Sequence, residues 1–313
     1  MNRSFETRQL EIFAALARSG SFTDAAKQMS LTQSAISHSL KALESDLECS
    51  LIERVGRTVL LTPAGEHLFK EASRILNDLK RTRQEVESIS AWGRGRLRIS
   101  ASVTSCEFLL PSILREFKEC FPEAPIQIAP ADSPEALNLL EAHEVDLALV
   151  VGATETTGLK RQDLFTDELQ FVVGSAHPWA RAQKVNFREV SEQSFILYNR
   201  KSSTFQSIES YFRERRWRLQ SFVEMGSMNA IKELIKIGFG VGLLPRWIVD
   251  REIQEGSLCA LPLTRPKLQR KWSLVWLESK KLTLAEETFA GLCSAAVENL
   301  ALEGKIELPS IHA

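Results

Sequence analysis

Between residues 62 and 91 the chain carries apolar side chains at Leu68, Ala72, Ile75, Leu79, Val86 and Ile89. A three-and-four spacing sustained over that length predicts one long helix. Its stripe is too narrow to be buried inside one globular unit, so it reads as a dimerising helix packed on its own copy. Thr62-Pro63 supplies the start, because threonine is a good N-cap and proline suits the first helical position. Gly93 and Gly95 end the helix and form a short hinge. The helix therefore divides the chain into residues 1–61 before it and residues 96–302 after it.

The leading segment reads as short helices. Leu10, Phe13, Ala14 and Ala17 repeat at helical spacing until Ser19-Gly20-Ser21. A second helix follows with Phe22, Ala25, Ala26 and Met29 on one face, and Ser30-Leu31 makes a tight turn. A third runs from about Thr32 to Leu47, with Ile36, Leu40, Leu43 and Leu47 facing a core. Residues 50–54 and 58–61 then flank Gly56-Arg57, the pattern of a two-stranded wing.

After the hinge the period changes. Strands are expected at residues 97–100, 126–128, 145–151, 169–173, 195–198, 222–223, 243–244 and 272–277. Helices are expected at about 108–121, 133–143, 204–217, 228–237 and 283–302. The nearly continuous apolar run over residues 145–151 is that of a buried parallel strand. Such alternation predicts an open α/β sheet. Residues 158–186 show strands but no role, and the tail from 304 to 313 has no period and reads as loose.

Composition excludes several classes. Of the 313 residues 44% are hydrophobic and 25% charged, which rules out a disordered or collagen-like chain. The formal net charge of −1 rules out nucleic-acid binding by bulk charge. Five widely spaced cysteines without a C-x-x-C form neither a disulfide framework nor a zinc site, and read as reduced thiols. Residues 1–10 lack the apolar core of a signal peptide, and no apolar stretch reaches the ~20 residues of a membrane span. A cytoplasmic protein without membrane contact is expected.

Helix, tight turn, helix and wing form a winged helix-turn-helix, whose second helix enters the major groove. Thr32, Gln33, Ser34, Ser37 and His38 are polar groups on the exposed N-terminal part of the third helix. Such side chains reach base edges, and glutamine pairs with adenine. Residues 1–60 hold seven bases and seven acids, yet residues 25–43 contain no acid. Lys27, Lys41, Arg54 and Arg57 are placed to surround a groove-facing surface. On these residues alone, an ordinary three-helix packing unit with a solvated face remains open.

Residues 22–65 resemble the LysR-type transcriptional regulators. The resemblance rests on Ser21-Phe22-Thr23-Asp24-Ala25-Ala26 and Leu31-Thr32-Gln33-Ser34-Ala35-Ile36-Ser37-His38. It continues through Leu40, Leu43-Glu44, Leu47, Leu51, Glu53-Arg54 and Leu61-Thr62-Pro63-Ala64-Gly65. The long helix and the α/β region are similar to the family too, so the likeness spans nearly the whole chain. The family usually has Gly where Glu48 stands, Phe where Ile52 stands, and often Arg where His38 stands. The resemblance implies a DNA-binding set of Thr23, Thr32, Gln33, Ser34, Ser37, His38 and Lys41, with Arg54 and Arg57 on the wing. It also implies a homodimer or homotetramer on an inverted-repeat promoter site, bending DNA and contacting RNA polymerase.

The resemblance implies a two-lobed, periplasmic-binding-protein-like effector domain. Lobe I is expected at about 96–165 and 271–302, and lobe II at about 166–270. Ligands of open α/β sheets bind beyond the carboxyl ends of strands. Ser102 and Thr104 follow the first strand, Ser133 opens a helix, and Asn199, Ser202 and Thr204 follow a second-lobe strand. Ser227 opens another helix. Hydroxyls and N–H groups at helix starts bind anions, and Arg200 and Lys201 lie close by in sequence, so a small anionic effector is expected. Each serine read by itself is a helix cap.

Gly238-Phe239-Gly240-Val241-Gly242 is not a dinucleotide fingerprint, because it follows a helix where the fingerprint follows a strand. No G-x-S-x-G, H-E-x-x-H or P-loop occurs. Neither a metal nor a cofactor is expected, and the chain reads as a regulator rather than an enzyme. Cys106 lies beside the first cleft segment, where a redox role competes with a buried thiol. The competing class is a ligand-binding or enzymatic α/β protein whose N-terminal helices only dimerise, without salt-dependent DNA binding.

Overall fold

The computed structural model describes residues 5–55, 58–89, 95–152, 157–219, 221–263, 266–302 and 306–308. The chain divides into two compact units, one of residues 1–92 with 141–144 and the other of the remainder.

The first unit contains α1 (Thr7–Ser19), α2 (Phe22–Met29), α3 (Gln33–Leu47), β1 (Ile52–Val55), β2 (Thr58–Leu61) and α4 (Pro63–Ile89). Local chemistry explains each boundary. Gly20 adopts the left-handed conformation and its N–H reaches Leu16 O, ending α1. The Ser21 hydroxyl accepts from the Asp24 N–H and opens α2, which Ser30 ends with positive φ. Thr32 lies outside α3 as its cap, with its hydroxyl accepting from the Ala35 N–H. Phe13, Leu16, Phe22, Ile36, Leu40, Leu43, Leu51 and Val59 close the core. The Gly56-Arg57 turn, Gly93 of the expected hinge and positions 90–91 lie outside the described residues.

Two residues join the wing to its neighbours. Glu44 Oε1 accepts from the Leu51 N–H at 2.8 Å, holding the strand entry against α3. The Thr62 hydroxyl accepts from the Gly65 N–H at 3.1 Å, as the N-cap expectation requires, and donates to Ser50 O at 2.8 Å.

The second unit opens with β3 (Leu97–Ala101), α5 (Val103–Phe108), α6 (Leu110–Cys120), β4 (Ile126–Pro130), α7 (Ser133–Glu141) and β5 (Leu147–Val151). Next come β6 (Leu159–Gly174), α8 (Pro178–Ala182), β7 (Ser194–Leu197), α9 (Ser203–Glu214), β8 (Ser221–Glu224) and α10 (Met228–Lys236). The chain continues through β9 (Val241–Pro245), α11 (Arg246–Gln254), β10 (Leu258–Pro262), β11 (Gln269–Leu277) and α12 (Leu284–Leu302).

The strand order is β4-β3-β5-β11-β6-β9-β7-β8, with β10 paired to β6. β3 runs parallel to β4 and β5, and β7 runs parallel to β8 and β9. β6 joins the halves: residues 159–168 pair with β11, and residues 169–174 pair with β9 and β10. The second unit is thus a two-lobed α/β body that follows the helix-turn-helix elements in sequence. Leu169, Phe171, Phe195, Phe212 and Leu243 core the second lobe, while Phe117, Leu147, Phe165, Trp272 and Phe289 belong to the larger core.

The structure corrects several sequence expectations. The helix expected at 108–121 is α6, Leu110–Cys120, with Pro111 in its first turn; α5, which Leu109 (φ −110°, ψ −52°) separates from it, was not expected. β5 is parallel to β3 but antiparallel to β11. α8, α11 and β10 were not expected, and the strand expected at 169–173 begins at Leu159. Part of the tail read as loose is docked: Thr166 and Glu307 exchange backbone hydrogen bonds of 2.7 and 2.9 Å, and Ile306 is buried.

Candidate nucleic-acid interface and ligand cleft

α3 presents one face to its core and the other to solvent. Ile36, Leu40 and Leu43 are buried, while Gln33, Ser34, His38 and Lys41 are exposed and Ser37 is half-buried. Thr23 and Lys27 are exposed on α2. Thr32 is exposed, but its hydroxyl is engaged as the cap of α3. The first-turn N–H groups of a helix have no helical acceptor, so this end suits an anion. The side chain of Arg54 and the whole of Arg57 lie outside the described residues.

In the second unit, a cavity of about 30 Å³ lies between the lobes. That is room for about two water-sized groups. Ser102, Thr104, Ser133, Ser202 and Thr204, all expected from the sequence, line it. Asn199 and Ser227 do not, although Met228, next to Ser227, does.

Most of these hydroxyls have structural duties. Ser102, Ser202 and Ser227 accept from the N–H groups of Ser105, Phe205 and Ala230, capping α5, α9 and α10. Ser133 does not cap α7; it accepts from the Val151 N–H at 2.7 Å, tying α7 to the end of β5. Asn199 Oδ1 accepts from the Lys201 N–H at 2.9 Å, and its Nδ2 donates to Asp132 Oδ2 at 3.3 Å. Asn199 thus bonds to a lining residue without lining the cavity itself.

The cations expected to receive an anion are elsewhere. Arg200 is exposed, stacks on Phe222 at 4.4 Å and faces Glu224 at 3.8 Å, and neither it nor Lys201 lines the cavity. Sequence reasoning missed four polar lining residues: Asp132, Tyr198, Ser203 and Arg270. Arg270 grips buried Asp167 through Nε and Nη2, and its Nη1 donates to the Thr204 hydroxyl. Asp167 also accepts from the indole N–H groups of Trp247 and Trp272. This pair is therefore internally satisfied. Asp132 immediately precedes Ser133, and nothing local marks it as facing a cleft.

The titratable groups here shift together. Burial raises Asp132, Glu135 raises it further, and the bond from Asn199 opposes both. Burial, with Asp132, Glu107 and Cys106, pushes Tyr198 up to about 12. Burial and Glu107 raise the Cys106 thiol, which opposes the thiolate a redox sensor needs. Among the described residues no three His, Cys, Asp or Glu side chains group to hold a metal ion, and no helix is long and apolar enough to cross a membrane.

Comparison with known proteins agrees with this architecture. Residues 7–66 match the family described as bacterial regulatory helix-turn-helix protein, lysR family. Residues 92–298 match the LysR substrate binding domain. The transcriptional activator CmpR of Synechocystis sp. is 27% identical over 281 residues, 90% of this chain and 92% of that protein. The transcriptional regulator CfxR of Cupriavidus necator is 29% identical over 286 residues, 91% and 90% of the two chains. The crystal structure of full-length CbnR complexed with its target DNA superposes with a TM-score of 0.66 at 20% identity, covering 93% of this chain and 100% of that one.

Proposed function

The chain belongs to the lysR family of bacterial regulatory helix-turn-helix proteins, and from that premise we propose that α3 reads promoter DNA through Gln33, Ser34, Ser37, His38 and Lys41. It is a DNA-binding transcriptional regulator with an effector-binding domain, not an enzyme. The observation that carries the proposal is the exposed polar face over residues 33–41 of α3, a stretch without acids, above the buried Ile36, Leu40 and Leu43. In this reading Thr23 and the capped turn at Thr32 meet phosphates, and Arg54 and Arg57 follow on the wing. Ile75 and Leu79 are 39% and 49% exposed along α4, which supports a homodimer through that helix. Two-fold pairing places the heads on an inverted repeat. Pairing of dimers into tetramers that bend the DNA and contact RNA polymerase extends the same reading. Such a protein works beside the chromosome, in the cytoplasm.

A small polar effector in the interlobe cavity would shift the lobes and so the spacing of the heads. Ser102, Thr104, Ser133, Ser202 and Thr204 support this by lining the cavity. Asn199 and Ser227 would act on the ligand only through Asp132 and α10. The anionic effector expected from Arg200 and Lys201 loses that support, because both lie off the cavity.

Footprinting on the DNA upstream of the protein's own gene, across a salt series, tests the regulator reading. The expected result is a protected inverted repeat that weakens with salt. Gln33→Ala should lose about 1–3 kcal/mol of binding and relax specificity at one base pair. No protection there, and none across the genome, would overturn it.

A further inference from the structure

We propose that the ligand held between the lobes carries a positively charged nitrogen group and that the Asp132 carboxylate receives it. This rests on reading the cavity as the effector site. Two charged side chains line that cavity, Asp132 and Arg270. Arg270 is satisfied by Asp167 and Thr204, so its charge is already neutralised. Asp132 has no such partner: among the described residues no cation pairs with it, and its side chain's hydrogen bond is the long 3.3 Å one from Asn199. A half-buried carboxylate held by one neutral amide gains most from a charged donor, since charge-assisted bonds are roughly twice as strong as neutral ones.

The neighbouring carboxyl groups carry the same sign. Glu135 lies close enough to raise Asp132, and Asp132 and Glu107 both raise Tyr198. An anion entering here would meet these carboxylates, and among the described lining residues the one cation, Arg270, is already paired. Asp132 lies between β4 and α7 of the first lobe, and Asn199 follows β7 of the second. A ligand that takes the carboxylate competes with an interlobe bond, which couples its charge to the lobe arrangement.

Thermal melting of the full-length protein tests this, with tryptophan fluorescence as the readout. Five of the six tryptophans (Trp179, Trp217, Trp247, Trp272 and Trp276) report on this unit. The probes are methylammonium and ethylammonium against formate and acetate, at constant ionic strength. At 100 mM the ammonium ions should raise Tm by about 2 °C and the carboxylates should not. Asp132→Asn should abolish the shift, and Asn199→Ala should lower the ammonium concentration needed by about threefold, as expected for removing one competing hydrogen bond. An equal ammonium shift in Asp132→Asn overturns the proposal. A shift with acetate that Thr104→Ala abolishes overturns the charge but keeps the cavity as the effector site. No shift with any of the four ions overturns both.

Discussion

Glu48 holds the left-handed conformation, φ 53° and ψ 27°, at the end of α3, where the family usually has glycine. A residue with a Cβ pays for this conformation by about 1 kcal/mol, part of which glycine returns as unfolded-state entropy. Glu48→Gly should therefore stabilise the first unit by about 0.5–1 kcal/mol, read as a higher urea midpoint, with DNA affinity unchanged. His38 bears on function instead. Histidine carries less charge than arginine near neutral pH, so His38→Arg should add about one phosphate's worth of salt dependence. The check is the slope of log K against log salt in a gel-shift titration; an unchanged slope would remove His38 from the interface. For Cys106, burial and Glu107 keep the thiol protonated. Peroxide should leave DNA binding unaltered in both wild type and Cys106→Ser, and a loss confined to wild type would restore the sensor reading.

The wing shows how one element depends on a backbone approach. A Cβ at Gly65 would lie 2.0 Å from Leu51 O, so α4 can pass the start of β1 only with glycine there. Gly65→Ala must push α4 from the wing and break the hydrogen bonds of Thr62 to Ser50 and Gly65. The expected loss is about 2 kcal/mol or more by chemical denaturation, with weaker DNA binding, whereas the neighbouring exposed Ala64→Ser should be near neutral. Elements of this kind were legible because their signals are local: the cap at Thr62, the stop at Gly20, and the apolar stripes of α2, α3 and α4. The same locality exposed five cavity residues, since each follows a strand or opens a helix. It could not show that Ser133 serves Val151 or that Asn199 is drawn to Asp132. Nor could it show that Arg270 is neutralised by Asp167, 103 positions away. These are tertiary pairings, and they decide the sign of the cavity. α5 was missed because its six residues, Val103–Phe108, are too few to show a helical stripe.

At the scale of the whole effector unit, a buried charge cluster ties the unit's first strand to its last helix. Asp146, 2% exposed, accepts from Arg98 Nε at 2.7 Å and Nη2 at 2.9 Å, and from Lys280 Nζ at 2.6 Å. Lys280 also meets Glu286 at 2.9 Å. Glu286 in turn accepts from the Thr283 N–H at 2.8 Å, and the Thr283 hydroxyl accepts from the Glu286 N–H, a capping box that starts α12. The cluster thus joins β3, the entry to β5, the segment after β11 and the first turn of α12. Burial alone would raise the Asp146 carboxyl, but the bonds and charges of Arg98 and Lys280 outweigh it and hold it at about 2, below its ordinary 3.8. A carboxylate with a lower pKa in the folded state stabilises the fold fully above its unfolded value and loses that contribution as pH falls through the folded one. The unit should therefore lose stability, by about 2 kcal/mol from this group, between about pH 4 and pH 2. Asp146→Asn should flatten that part of the pH profile, measured by urea denaturation at successive pH values. Asp146→Ala should cost about 3–5 kcal/mol at neutral pH, because it strands the Arg98 guanidinium against a buried site. A wild-type profile that Asp146→Asn leaves unchanged would show that another group carries the acid lability, and that this cluster fixes the geometry of α12 without setting the pH response of the unit.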